Sequence, residues 1–211
     1  AGTVLRIYAN FTEAMSGINE SSVKIKITTA GDGSLSNTTP SRVNNTRWYE
    51  DWVIPSGSDD DGPFTVKIYA KDNATNNLSP YPTTSAIKKI DNTGPVCTIA
   101  FNRSGTYIAG GETLRIYGNF TETGSGMNST SVTIKINTTA GSGNLSNTTM
   151  TKQTITHYYY DWTVPSVSGN DGTVTMKIYA CDNLSNLQTT YPTTNTAKKI
   201  DNTPPSCSIA Y

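Results

Sequence analysis

An all-β protein of two tandem two-sheet sandwiches is the fold this sequence predicts, and three observations predict it. The chain is written twice: Leu-Arg-Ile-Tyr-Ala-Asn-Phe-Thr-Glu at 5–13 returns as Leu-Arg-Ile-Tyr-Gly-Asn-Phe-Thr-Glu at 114–122, and Lys-Ile-Tyr-Ala-Lys-Asp-Asn at 67–73 returns as Lys-Ile-Tyr-Ala-Cys-Asp-Asn at 177–183. The composition is rich in Thr, Ser, Asn, Gly and Tyr and poor in the Leu, Ala and Glu that favour helices. Apolar and polar residues alternate at period two between clusters of turn-forming residues, the pattern of half-buried strands. A repeat of this length is a whole domain and not a solenoid turn, and about 100 residues are enough to bury a core.

The second copy gives the elements in order. Val96 to Phe101 is a short strand entered through Pro95, and Thr113 to Phe120 follows it. Ser131 to Ile136 sets Val132, Ile134 and Ile136 against Thr133 and Lys135, an alternation that buries one face. Thr154 to Val164 carries Tyr158, Tyr159, Tyr160 and Trp162. Thr173 to Ala180 alternates Val174, Met176 and Ile178, and a last strand lies near Thr196 to Ile200. Gly-Gly-Glu at 110, Gly-Ser-Gly at 124, Gly-Ser-Gly-Asn at 141 and Asn-Asp-Gly at 170 separate them as turns. Short strands at this spacing, with a tryptophan on a central one, make a sandwich. The boundaries that follow are 1–93, 94–203 and a terminal strand at 204–211.

Sixteen basic and sixteen acidic residues cancel and are spread through both halves, so no charged surface calls for nucleic acid or an anionic membrane. No run of about 18 apolar residues exists, so no membrane span is expected in this segment. Ala1-Gly2-Thr3-Val4 has neither a basic nor an apolar leader, which reads as a processed chain or a segment of a longer one. The Asn-X-Ser/Thr tripeptide begins at Asn10, Asn19, Asn37, Asn44, Asn73, Asn77, Asn102, Asn119, Asn128, Asn137, Asn144, Asn147 and Asn183. Either these are turn chemistry multiplied by duplication, or some carry N-linked glycan and the protein is extracellular.

The ordered set Phe-Thr-Glu, Asp-Trp-Thr-Val-Pro, Asp-Gly, Lys-Ile-Tyr-Ala-Cys-Asp-Asn-Leu-Ser-Asn and Ile-Asp-Asn-Thr-Pro-Pro resembles the tandem immunoglobulin-like repeats of bacterial and archaeal surface and filament proteins. The resemblance covers essentially the whole chain. It implies Ig-like sandwiches in series, in an elongated rod at a cell surface, within an adhesin, a surface layer or a filament. The two-cysteine and tryptophan signature of antibody domains is missing within each copy.

The ends of the repeat do not match. The counterpart of Val96 to Phe101 would precede Ala1, whereas Cys207, Ser208, Ile209, Ala210 and Tyr211 lie beyond the end of copy two. A sandwich without that edge strand exposes its core and a row of backbone groups to another chain. The terminal strand is therefore expected to complete the first domain of the next copy, joining subunits head to tail. The alternative is a window on a longer repeat polypeptide, with the same joint made covalently.

In an Ig-like sandwich Cys97 and Cys181 fall at the same pole, which suggests a disulfide worth about 3 to 4 kcal/mol in the chain-entropy model. Three reduced thiols are the alternative, and zinc spacing is absent. At the same pole Asp91, Glu122 and Asp182 converge and offer a structural Ca2+ site, loosely like the acidic linker of cadherins. The other reading is that they cap turns through side-chain to backbone bonds. Asp59, Asp60 and Asp61 read as a solvated loop. His157, replaced by Arg47 in copy one, reads as a surface residue. No catalytic residues are assigned, no other cofactor is implied, and enzyme activity is not expected.

A structural subunit or repeat segment of an extracellular filament or stalk is the function these features support, its partners being copies of itself. The Trp and Tyr set (Trp48, Tyr49, Trp52, Tyr158, Tyr159, Tyr160, Trp162) carries the alternative of an adhesin with an aromatic platform for carbohydrate or protein.

Overall fold

The computed structural model describes residues 2–86 and 88–211, which form two compact units, 1–92 and 93–211. Both are all-β apart from single turns of 3-10 helix.

Unit 1 contains β1 (Val4–Asn10), β2 (Lys24–Thr28), β3 (Leu35–Thr38), β4 (Ser41–Asn44), β5 (Arg47–Val53), β6 (Gly62–Pro63), β7 (Thr65–Tyr69), β8 (Thr83–Ser85) and β9 (Lys89–Ile90). One sheet runs β1-β5-β4 and the facing one β3-β2-β7-β8, with β6 paired to β9. Unit 2 contains β10 (Val96–Phe101), β11 (Tyr107–Ile108), β12 (Thr113–Thr121), β13 (Thr133–Asn137), β14 (Leu145–Thr149), β15 (Thr151–Lys152), β16 (His157–Thr163), β17 (Gly172–Tyr179) and β18 (Thr193–Ile200). Its sheets run β10-β12-β16-β15 and β11-β18-β17-β13-β14. With β10 and β11 removed, unit 2 has the strand plan of unit 1.

Alternation decides which side chains meet between the sheets. In β12, Leu114, Ile116 and Phe120 point inward, and in β17 Val174, Met176 and Ile178 meet them; all are 5% exposed or less. Trp162 packs there too and donates its indole N–H to the carbonyl of Gly143 at 3.1 Å, so its polar atom is satisfied inside the sandwich. Trp52 repeats this bond to Gly33 at 3.3 Å. On the outer face the Arg115 guanidinium forms a two-pronged pair with Asp161, both contacts at 2.6 Å, and lies 4.2 Å from the Tyr159 ring. Arg6, Asp51 and Tyr49 repeat it in unit 1.

Three features depart from the sequence expectation. Asp60 is not solvated: it is 2% exposed, and its carboxylate accepts from the Thr29 hydroxyl and from the Gly33 amide at 3.1 Å. In unit 2 Asn170 takes that place and accepts from the Thr138 hydroxyl at 2.8 Å. Edge strands β14 and β15, rich in Ser, Thr and Asn, have no apolar alternation to announce them. The last strand of unit 2 begins earlier than expected, at Thr193.

Core position sets the cost of truncation. Ile116→Ala should lower the unfolding free energy of unit 2 by about 2 to 5 kcal/mol, while Ile7→Ala, at the half-buried equivalent in unit 1, should cost less than about half of that. Urea denaturation of the dilute chain, followed by tryptophan fluorescence, measures both.

Candidate functional site

The equivalence of the two units breaks down along β1. In unit 2, β10 lies antiparallel along β12, with Cys97 opposite Phe120, Ile99 opposite Gly118 and Phe101 opposite Ile116. In unit 1, β1 ends its sheet, and among the described residues nothing pairs with its outer edge. A groove of about 450 Å³ opens there, between Leu5, Ile7, Ala9 and Phe11 on one side and Phe64, Val66, Ile68 and Leu78 on the other, with Lys88 at its rim.

Burial shows what β10 does for a sandwich of this sequence. Leu114, Ile116, Met176 and Ile178 are each 1% exposed or less in unit 2, whereas Leu5, Ile7, Val66 and Ile68, at the same positions of unit 1, are only half-buried. The core of unit 2 is one continuous cluster. That of unit 1 is two, one around Phe11, Val23 and Trp48 and the other around Ile25, Ile27, Trp52 and Phe64.

The terminal residues Ser206 to Tyr211 lie in no strand and are exposed, Ile209 at 78%. Their sequence, Ser-Cys-Ser-Ile-Ala-Tyr after Pro205, follows that of β10, Val-Cys-Thr-Ile-Ala-Phe after Pro95. Transferred by the β10–β12 register, Cys207 would face Phe11, Ile209 would face Ala9 and Tyr211 would face Ile7.

All three cysteines, Cys97 and Cys181 among them, are free thiols in this structure. Cys97 points into the core opposite Phe120, where burial pushes its thiol up to about 11 and makes it an apolar packing group. Cys181 pairs with Leu187 in an isolated bridge, and its amide N–H donates to the Ser131 hydroxyl oxygen at 2.9 Å. Cys207 is exposed.

Of the residues suggested for Ca2+, Asp91 belongs to unit 1 and Glu122 and Asp182 to unit 2. Asp182 is fully buried, and both its oxygens serve a turn: one accepts the amides of Leu184 and Asn186 at 2.9 and 2.8 Å, the other the Asn186 side chain at 2.7 Å. Glu122 accepts the Gly124 amide at 2.6 Å. In unit 1, Asp72 and Glu13 make the equivalent turn bonds to Asn76 and to Met15 and Ser16.

No sequon asparagine is buried: Asn19, Asn119, Asn128 and Asn137 are half-buried and the other nine exposed. The aromatics suggested as a platform divide between the two faces. Trp48, Trp52, Tyr158 and Trp162 are core, Tyr160 packs against it, and the outward rings of Tyr49 and Tyr159 are covered by Arg6 and Arg115. A guanidinium stacked on a ring occupies the face a sugar would need. His157 is exposed, its Nδ1 within 3.0 Å of the Thr154 hydroxyl.

No protein-family model and no curated protein sequence matches this chain. Among solved structures it is similar to the fibronectin(III)-like modules of CbhA from Clostridium thermocellum, at 17% identity over 95% of this chain and 85% of that one, with a TM-score of 0.34. It is also similar to a three-domain Ig segment of titin, at 11% identity, 94% and 60% coverage and a TM-score of 0.45. A DUF3823 family protein from Bacteroides ovatus is 11% identical over 94% of this chain and 99% of that one, with a TM-score of 0.32.

The turn and outer-face carboxylates set the acid response. Hydrogen bonds from Arg6, Asn76, Arg115 and Thr203 hold Asp51, Asp72, Asp161 and Asp171, respectively, below the ordinary carboxylate range. Folded-state pKa values below the unfolded value mean that the stabilisation is complete above about pH 4 to 5 and is lost as pH falls through the folded values. The melting temperature should therefore hold level from about pH 7 to pH 5 and drop below about pH 4, as a calorimetric pH series would show.

Proposed function

We propose that this chain is a structural module of an extracellular filament, in which Ser206 to Tyr211 of one copy fills the open edge of unit 1 in a second copy. One observation carries the reading. The same sequence that is closed over by β10 in unit 2 is open in unit 1, and the chain bears a second β10-like segment that is in no strand and exposed.

The chemistry of the contact follows from β10. A strand laid along β1 satisfies the edge backbone groups, and alternate side chains enter the groove. Ile209 would fill the space over Ala9, where Ile99 sits over Gly118 in unit 2, and Tyr211 would cover Ile7. Full burial of a large apolar side chain contributes about 1.5 to 3 kcal/mol, so Ile209 and Tyr211, with Leu5, Ile7, Val66 and Ile68 of the acceptor, supply the driving force. Part of it offsets the ordering of a free segment and the loss of independent motion. Donor and acceptor are different surfaces, so the contact is head-to-tail and propagates wherever it does not close into a ring. The accessible sequons support glycosylation and an extracellular setting for such an assembly.

Replacing Ile209 by Asp puts a carboxylate where the groove offers apolar walls. Raised in concentration, the unaltered chain should elongate into filaments seen by electron microscopy and light scattering, and Ile209→Asp should remain at the mass of one chain. Filaments of the same kind from Ile209→Asp would overturn the reading.

A further inference from the structure

The rim of the groove holds a cation whose duplicate in unit 2 is buried. Lys198, in β18 two residues before Ile200, is 3% exposed, although nothing in its sequence setting distinguishes it from a surface lysine. Its ammonium lies 4.8 Å from the centre of the Phe101 ring, at the end of β10. It also donates to the carbonyl of Arg103 at 2.6 Å and to that of Gly105. Burying an ammonium is costly unless such acceptors surround it. Here all of them come from β10 and the segment that follows it. Desolvation moves the Lys198 ammonium below the ordinary lysine value, which is the cost of burial that the ring and the two carbonyls offset.

Lys88 is the same residue in unit 1. It stands two residues before Ile90, its carbonyl accepts the Phe64 amide as the Lys198–Val174 pairing of unit 2 requires, and its side chain lines the groove. It is exposed and, among the described residues, unpaired. In the β10 register, Tyr211 of an incoming strand takes the place of Phe101.

We propose that Lys88 recognises the end of the donated strand, its ammonium seated on the Tyr211 ring and donating to the oxygen atoms that follow that ring. Those oxygens are backbone carbonyls where the donor chain continues past the ring, as at Arg103 and Gly105, or the carboxylate of a strand that ends there. The consequence is selectivity. A β-strand that fits the apolar groove but presents no oxygen at its end leaves an ammonium stripped of water and unpartnered, so the groove discriminates against it. The inference rests on the strand-completion reading and names what that site selects.

Synthetic peptides test it. The full chain carrying Ile209→Asp, which cannot donate its own terminus, is titrated against fluorescent, N-acetylated peptides. One has the sequence of residues 95–108 with an amide end, and one has residues 205–211 as either the free acid or the amide. Lys88→Met should weaken the 95–108 peptide by about tenfold, the loss typical of hydrogen bonds to a charged group. It should weaken the 205–211 amide, which keeps the Tyr211 ring but lacks the oxygens beyond it, by only about threefold, and Lys88→Arg, which keeps charge and donors, should retain binding to the 95–108 peptide. A free-acid peptide that beats its amide only when Lys88 is present assigns the carboxylate as a second source of the oxygens. If Lys88→Met stays folded by circular dichroism and binds both the 95–108 peptide and the free acid as Lys88 does, the Lys88 inference fails while strand completion stands. If no peptide binds even with Lys88 intact, strand completion fails and the inference with it.

Discussion

A β-sheet must do something with its edge, and in this protein a single strand decides whether a core forms in one piece. β10 adds backbone pairing to β12, but its larger effect is on the side chains beneath. It closes the side of the sandwich where Ile116 and Leu114 meet Met176 and Ile178. Units 1 and 2 share most of their inward-facing residues, so the difference in burial between Ile7 and Ile116 reflects what covers them and not what they are. The split of the unit 1 core into two clusters is the same fact seen from inside.

The polar residues hold the frame in which that edge is presented. Asn92 donates its side-chain amide to the carbonyls of Pro55 and Gly57 at 3.2 and 2.9 Å, while its backbone N–H meets Asp61 at 2.7 Å. Asn202 makes the same three bonds to Pro165, Val167 and Asp171. Such bonds tie the chain after the last strand of each unit to the turn beside it, satisfying backbone groups that would otherwise compete for water. Asp72 and Asp182 do this work for the turns after β7 and β17. The acidic residues of this chain are largely absorbed by its turns, and the surface they leave is neutral and polar.

Much of this was legible in the sequence, for physical reasons that also mark where legibility stops. The main strands show through because alternation at period two is forced on any strand with one wet face, as in Thr133 to Ile136. The repetition of Pro95 to Phe101 at Pro205 to Tyr211 was legible too, although only the first of the two segments lies in a strand here. Asp60 and Lys198 were not. Their burial depends on partners far along the chain, Thr29 and Gly33 for one and Arg103 and Gly105 for the other, so a run of acids or a Lys-Lys pair looks like solvent-facing charge until the fold brings those groups together. The core position of Cys97, opposite Phe120 across the sheet, was not legible either, and for the same reason.

Duplication leaves the two units alike along the strand where closure is made, Leu5 to Phe11 and Leu114 to Phe120 differing only at Ala9 and Gly118. A strand that covers a sheet edge needs two matching surfaces, its own apolar alternation and the apolar lining it packs on. In unit 2 both surfaces belong to one folded body, so β10 packs at no cost in association, and Phe120, Gly118 and Ile116 face a partner that is always present. In unit 1 the same lining, Phe11, Ala9 and Ile7, packs on its own core on one side and borders the groove on the other. An exposed apolar groove is a liability for aggregation when it serves no contact, and edge strands are ordinarily blunted by charge, proline or a bulge. β1 carries Arg6 on the outer face, where it pairs with Asp51, and no such device among Leu5, Ile7 and Ala9 on the groove side. Of the two charged residues among the described ones that line the groove, Arg6 is paired with Asp51, and Lys88 stands where its duplicate in unit 2 holds the end of β10.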